Sequence, residues 1–469
     1  MRSVLPSQAY NMRDVDIGSI EFDSRKVGPG ALYIAVKGGR HDGHDFIEGA
    51  ERAGAVAVVT ERRVTTTLPQ IVVRDARDAM AVLAPLFYGR FNELMKIGVT
   101  GTNGKTTTTF LIHSILARAG KKPGLIGTVY YLGASRNKAV RTTPEILDIF
   151  KFFAGIAGQA AESVVMEVSS HALKMKRVEG IEFDAAVFTN LSQDHLDFHQ
   201  TMDDYKSSKL HLFTLLKPDG CAVYNFDDET RTSIEDLPVL RKVSFGRQAG
   251  SDVVGRIIAG SLEGLEVEIC YGGRKYRISS SLIGEFNVYN ILAAFATAAG
   301  LSIDIDNIIS GIEELKAVPG RMERVVDNIF VDYAHTPAAV ENVLRAFRKY
   351  TRGRLIIVFG CGGDRDRGKR RQMGEIASAM ADLTVITSDN PRHESPAQII
   401  ADILQGVSGN GHLVIEDRAA AIRRALEIRR GDDIVVVAGK GHEEYQSIND
   451  EMIEFSDAEV IRQCFENSR

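Results

Sequence analysis

Four apolar runs in the last third of the chain restrict its fold most: NIFVDY (328–333), RLIIVFG (354–360), LTVIT (383–387) and DIVVVAG (433–439). Similar runs occur earlier, as ALYIAV (31–36), AVAVV (55–59) and SVVMEV (163–168). Amphipathic helical stretches alternate with these strand candidates. That alternation predicts an α/β architecture with parallel sheets. At roughly 100–200 residues per domain, a length of 469 favours three domains. The expected blocks are 1–92, 93–318 and 319–469, the last opening at the Val318-Pro319-Gly320 turn.

Polar segments follow three of the late strands directly: GCGGDRDRGK, SDNPRHE and GKGHEEY. In an open parallel sheet, loops at the carboxyl ends of strands share one edge, and ligands bind where strand order reverses. Arg365, Asp389, Asn390, Arg392, Gly439 and Glu443 are therefore expected to converge there.

A second device lies in MKIGVTGTNGKTTTTFLIHSILARAG (95–120), read as a strand, a tight loop and a helix closed by Gly120. A helix N-terminus offers unpaired N–H groups and a partial positive charge to phosphates. Gly101 and Gly104 allow close backbone approach, Lys105 supplies a point charge, and the Thr106 hydroxyl suits Mg²⁺. The loop is a shortened variant of the GxxxxGK[ST] pattern, with Val99 at the first glycine position. Beyond it, Glu167 ends an apolar strand, and NLSQDHLDFHQT adds Asp194, His195, Asp197 and His199. Carboxylate plus imidazole near a phosphate loop suggests a divalent metal.

Composition narrows the function classes. Lys+Arg total 57 against 62 Asp+Glu, a formal net charge of -5. Bulk charge thus gives no support for binding nucleic acid or an anionic membrane. No apolar stretch is long enough to span a bilayer, and MRSVLPSQAY lacks the run of a secretory leader, so a cytoplasmic protein is expected. Cys221, Cys270, Cys361 and Cys464 form no CxxC pair and read as isolated reduced thiols.

Taken in order, GTNGKTT (101–107), TTPE (142–145), MEVSSHAL (166–173), NLSQDHLDFH (190–199), DDYKSSKLHLF (203–213), NVYN (287–290), PGRME (319–323) and DYAHTP (332–337) resemble the Mur ligases over essentially the whole chain. These are ATP-dependent, amide-forming enzymes of peptidoglycan precursor synthesis. DSR (23–25), GDRDRGKR (363–370), DNPR (389–392) and GKGHE (439–443) resemble the members that add the third residue of the stem peptide. The resemblance implies a three-domain Mur ligase architecture, with a UDP-substrate domain, a central P-loop-type ATPase domain and a C-terminal Rossmann-like domain for the amino acid. It implies that meso-2,6-diaminopimelate is joined to the γ-carboxylate of D-Glu in UDP-N-acetylmuramoyl-L-Ala-D-Glu through an acyl phosphate. ATP is the co-substrate, Mg²⁺ the cofactor, and the enzyme a monomer whose partners are these small molecules alone.

Residue roles follow by motif. Phe22, Ser24, Gly39, Arg40, His41, Thr142, Thr143, Ser169 and Arg177 match positions that bind the UDP-muramoyl-dipeptide. Met175 stands where the family often has Gln. Gly101, Thr102, Asn103, Gly104, Lys105, Thr106, Thr107, Asn290, Arg321 and Asp332 match ATP-binding positions. Thr106, Glu167, His195 and Lys209 match the metal site, with Lys209 carried as a carbamate (N6-carboxylysine). Lys105, Lys209 and His195 carry the catalytic roles. Arg365, Asp389, Asn390, Pro391, Arg392, Gly439 and Glu443 match the diaminopimelate site, where the Arg392 fork selects the extra carboxylate that lysine lacks. No general base for the amine is evident: His335 and His171 both have the chemistry for it, and a substrate-assisted route is equally open. A folylpolyglutamate-type ligase would share the phosphate loop but lack DSR and DNPR. A nucleotide-binding sensor would need neither Glu167 nor Lys209.

Overall fold

The computed structural model describes residues 7–38, 41–133 and 135–466. The chain forms two compact units, one of residues 1–253 with 293–308 and one of 254–292 with 309–469. The fold is mixed α/β, as the alternation predicted.

In the first unit, a five-stranded sheet near the N-terminus runs in the order 7–10, 70–73, 55–60, 31–34, 19–21. Only its first strand is antiparallel. The central sheet is built on β1 (Met95–Thr100), β2 (Pro123–Ile126), β3 (Ser163–Glu167), β4 (Phe183–Phe188), β5 (Leu216–Asn225) and β6 (Arg241–Gly246). These pair in parallel in the order β6-β5-β4-β1-β3-β2. β3 and the last five residues of β1 are wholly buried, which is why their centres, residues 97–99 and 164–166, run apolar rather than alternating. Helix α1 (Lys105–Arg118) packs on this sheet. Four consecutive threonines, 106–109, are poor helix formers. All four are buried, so tertiary packing overrides propensity there.

In the second unit, residues 253–280 contribute an antiparallel three-strand meander. The main sheet comprises β7 (Glu323–Val326), β8 (Ile329–Asp332), β9 (Leu355–Phe359), β10 (Leu383–Ile386), β11 (His412–Val414) and β12 (Ile434–Ala438). Its order is β7-β8-β12-β9-β10-β11, parallel except for β7. Strand β12 thus inserts between β8 and β9, which is the reversal that opens a crevice at the carboxyl edge. Asp332 pairs with Ala438, Val358 with Val437 and Phe359 with Ile386, so the four central strands end level. A short hairpin, β13 (Tyr445–Ile448) and β14 (Glu451–Glu454), follows β12.

One buried ion pair holds this edge. Arg418 is fully buried at the start of the helix Arg418–Glu427. Its Nε and Nη2 donate to Asp457 Oδ1 and Oδ2 at 2.7 Å each, and Nη2 also donates to the Ala438 carbonyl at 3.0 Å. Among the described residues no helix is long and apolar enough to cross a membrane, and all four cysteines are free. Removing one partner of such a pair strands the other charge. Arg418→Met is expected to lose about 3–5 kcal/mol of stability, read from the urea midpoint. Arg418→Met/Asp457→Leu should recover part of that loss.

Candidate active site

The loop after β1 is shaped by backbone that only glycine fits. Gly101 has φ 140°, and a Cβ there would run into the Thr189 side chain. Gly104 is left-handed at φ 85° and precedes α1 directly. The loop after β4 pins the turn: Thr102 N–H donates to the Asn190 carbonyl at 2.8 Å and Asn103 N–H to Asn190 Oδ1 at 2.9 Å. Thr189 Oγ1 donates to the Asn103 carbonyl at 2.6 Å. Lys105 Nζ lies over its own loop, donating to the Gly101 and Thr102 carbonyls at 2.8 Å each. Thr107, on the first turn of the helix, is buried.

Glu167, at the end of β3, gathers the elements around this loop. Its Oε2 accepts from Thr106 Oγ1 and Thr128 Oγ1, both at 3.0 Å, and its Oε1 accepts from Thr128 N–H at 2.7 Å. Its carbonyl accepts from Thr143 Oγ1 at 2.9 Å. Lys209 sits on α2 (Met202–Leu210), which is capped by Thr201. It is 1% exposed, with Nζ donating to the Gly101 carbonyl at 2.6 Å and lying 4.3 Å from the Tyr205 ring centroid. Burial and then the nearby Lys105 hold the Lys209 amine well below the usual lysine range, so it favours the neutral form.

His195 occupies left-handed backbone at φ 53°, with its ring 4.8 Å from that of His171. Burial lowers the pKa of His195 against the pull of Asp194, and pushes that of His171 down to about 4. Asp194 lies 3.5 Å from His195. His199 is buried and bonded to Ser170 Oγ at 2.9 Å, so it is tied up in packing. Among the described residues no three His, Cys, Asp or Glu side chains form a ready metal cage. The paired oxygens of Thr106 and Glu167 are nonetheless hard donors beside the phosphate loop, which fits Mg²⁺.

Thr143 and Ser169 meet, with Ser169 N–H donating to Thr143 Oγ1 at 3.1 Å. Thr142 accepts from Thr128 Oγ1 at 3.2 Å. Arg177 Nη1 reaches the Thr143 carbonyl at 3.3 Å, and Arg177 Nη2 faces the Met175 sulfur at 3.5 Å. Glu145 was not singled out from the sequence, yet it is the hub of this region. Arg77 lies 2.8 Å from its carboxylate, and Arg141 and Arg177 lie 2.9 Å from it. Three guanidiniums around one buried carboxylate leave two positive charges uncompensated within that cluster. In the N-terminal sheet region, Phe22 packs against the core, Ser24 opens a short turn capped by Asp23, and His41 stands edge-on to Phe46. Gly39 and Arg40 lie outside the described residues.

The second unit carries the other candidates. Asn290 Nδ2 donates to Asn287 Oδ1 at 2.7 Å. Asp332 accepts Met322 N–H at 2.7 Å and Ala334 N–H at 2.8 Å. Burial raises its pKa against these donors and Arg321. Arg321 lies 4.8 Å from the Tyr333 ring centroid. His335 is exposed, with Nδ1 2.7 Å from the Tyr333 carbonyl.

The loops after β9, β10 and β12 lie against one another. Gly363 N–H donates to the Asn390 carbonyl at 2.9 Å, and Gly363 has no room for a Cβ because the Pro391 carbonyl fills that space. Arg392 is left-handed at φ 52°. Its Nη1 donates to the Gly363 carbonyl at 2.7 Å, and its N–H donates to the Ser447 carbonyl of β13 at 2.9 Å. Asn390 Nδ2 donates to Glu443 Oε2 at 2.8 Å. Gly439 (φ 115°) leaves space that Asp389 Oδ2 occupies, and Asp389 also lies 3.9 Å from Arg418. Arg365 is exposed and touches the Asp364 carbonyl at 3.2 Å. Lys440 was missed from the sequence. It is fully buried, with Nζ 2.8 Å from Asn390 Oδ1 and 3.3 Å from Glu443 Oε2. Its signal was a lysine two residues past the end of a wholly apolar strand.

Known proteins resemble the chain along nearly its whole length. Residues 16–88 match the Mur ligase family catalytic domain, 99–298 the Mur ligase middle domain, and 320–441 the Mur ligase glutamate ligase domain. A UDP-N-acetylmuramoyl-L-alanyl-D-glutamate–2,6-diaminopimelate ligase of Syntrophomonas wolfei is 45% identical over 460 residues, 95% of this chain and 94% of that protein. A solved structure of a ligase with the same name has TM-score 0.68 at 34% identity, covering 96% of this chain and 95% of the other. MurF of Thermotoga maritima, solved in complex with ADP, has TM-score 0.66 at 23% identity, covering 97% and 99%. The chain belongs to the Mur ligase family.

Proposed function

We propose that the chain joins meso-2,6-diaminopimelate to the D-Glu γ-carboxylate of UDP-N-acetylmuramoyl-L-Ala-D-Glu, using ATP, in cytoplasmic synthesis of peptidoglycan precursors. The observation that carries this is a near-full-length relative of that name at 45% identity. The side-by-side loops of Arg392, Asn390 and Glu443 support it. Residues 1–92 take the UDP end, 93–318 the ATP and 319–469 the amino acid. Phosphate release measured with the UDP-muramoyl-dipeptide tests the reading. Release should depend on diaminopimelate, and lysine should be used about 10⁴-fold less well. Equal use of the two amines would refute the specificity.

In the first step the γ-carboxylate attacks the γ-phosphorus of ATP, giving an acyl phosphate and ADP. In the second an amine of diaminopimelate attacks the acyl carbon and phosphate leaves. Lys105 neutralises the transferring phosphoryl group, where charge matters more than covalent help. Thr142, Thr143, Ser169 and Arg177 position the dipeptide. Thr106, Glu167, His195 and Lys209 would hold Mg²⁺. That ion supplies positive charge to offset repulsion between the carboxylate and the phosphates.

Lys209 contributes as a carbamate in this proposal. Burial shifts its amine toward the neutral form, which adds CO₂ and loses a proton, giving an anionic oxygen donor. Lys209→Ala is expected to lose turnover by about 100-fold or more, with partial recovery when formate or acetate is added. Full activity in the variant, with no response to carboxylates, would sink the carbamate role.

Arg392 is the bidentate partner of the carboxylate that distinguishes diaminopimelate from lysine. Arg392→Ala should raise the diaminopimelate KM by about 30- to 1,000-fold while the ATP KM stays within about twofold. Steady-state kinetics with each substrate varied in turn reads this directly.

A further inference from the structure

Lys440 is the one fully buried lysine among the side chains of the amino-acid loops, and none of the roles above uses it. A lysine ammonium can only donate hydrogen bonds. Placed 2.8 Å from Asn390, it must face Oδ1, and the Ser447 N–H donates to that same oxygen at 2.9 Å. Two donors on Oδ1 fix the amide, so Nδ2 points to Glu443 Oε2 at 2.8 Å. Lys440 Nζ reaches Oε2 as well, at 3.3 Å. Both internal donors therefore crowd onto one oxygen of Glu443. Its Oε1 accepts no hydrogen bond from the described residues and remains available to a ligand ammonium.

The charges matter as much as the directions. Lys440 and Glu443 together are neutral. An ammonium arriving at Oε1 thus meets a hydrogen-bond acceptor whose charge is already balanced. A bare ammonium, as at the end of lysine, gains little there. An ammonium flanked by a carboxylate gains in addition from Arg392 and Arg365.

We propose that Lys440 is a specificity-determining, positioning residue: it fixes Asn390 and one oxygen of Glu443 and neutralises Glu443, so the site favours an amino acid whose far end is zwitterionic over one ending in a bare ammonium. This rests on the function proposed above.

The test is the ratio of kcat/KM for meso-diaminopimelate over lysine in the full-length enzyme and in Lys440→Met. The expected result is a fall of about 10- to 100-fold in that ratio. Diaminopimelate KM should rise, ATP KM should hold, and Lys440→Met/Glu443→Gln should do no further harm than Glu443→Gln alone. An unchanged ratio in an active variant overturns the inference. So does an equal loss for both amines together with additive effects in the double variant, because that pattern marks a purely structural lysine. Lys440→Gln, which keeps the bulk and a donor but removes the charge, serves if the methionine variant does not fold, and its ratio should fall in the same direction. An unmodified enzyme that does not use diaminopimelate would refute the proposed function and take this inference with it.

Discussion

The carboxylate of Glu167 is the junction on which the phosphate-loop region depends. It takes hydrogen bonds from the first turn of α1, through Thr106, and from the turn after β2, through Thr128. Its own carbonyl anchors the TTPE segment through Thr143. A buried carboxylate is costly unless its oxygens are satisfied. Here the donors that satisfy it come from two separate stretches of chain, Thr106 in one and Thr128, through its N–H and its Oγ1, in the other. Their relative positions are set by the parallel pairing of β3 with β1 and β2. The sheet brings the loops to one edge, and Glu167 fixes them to one another.

The second unit solves the same problem with buried cations. Arg370, Arg418 and Lys440 are each fully buried, and each joins loops that leave different strands. Arg370 donates to Glu394, Asp402 and the Gly362 carbonyl. Arg418 spans Asp457 and the end of β12. Lys440 joins Asn390 to Glu443. Such groups add little net stability over apolar packing, but they tolerate few alternative geometries. That suits a surface where Arg392 must be held in left-handed backbone, a conformation that costs a non-glycine residue on the order of 1 kcal/mol or more.

The sheet edge was legible because periodicity and punctuation are local signals. The runs ending at Phe359, Ile386 and Ala438 announce buried parallel strands, and their level ends follow from the pairing register. The loop at 101–106 was legible because glycine, lysine and threonine each do something no other residue does there. What escaped were pairings across long separations. Arg77 and Glu145 are 68 positions apart, and nothing in either segment predicts the other. Lys440 read as one more charge in a polar loop. Composition alone would place Lys209 on the surface, yet α2 buries it against the Gly101 carbonyl. The antiparallel meander at 253–280 also went unremarked, because its strands mix buried and exposed positions and lack the continuous apolar runs of the central strands.

A chain with net charge -5 must recognise anions by local means, and the way its cations are parked explains how. Lys105 rests on the carbonyls of Gly101 and Thr102, and Arg392 on the carbonyl of Gly363. A backbone carbonyl is a neutral acceptor. A phosphate or carboxylate offers the same cations charge–charge attraction in addition, and the Arg392 fork can meet a carboxylate with two bonds at once. Each cation is thus held close to where an anion would arrive, but by a bond that the anion can outcompete. Rotamer freedom is already largely surrendered before binding, so less entropy remains to be lost when the ligand arrives. Glycine is needed in both places for a linked reason. A side chain at 101 or 363 would collide with Thr189 or the Pro391 carbonyl, shifting the very carbonyl on which the cation rests. In both units, then, the glycine, its carbonyl and the parked cation act as one device, and substitution of any one of them should disturb the other two.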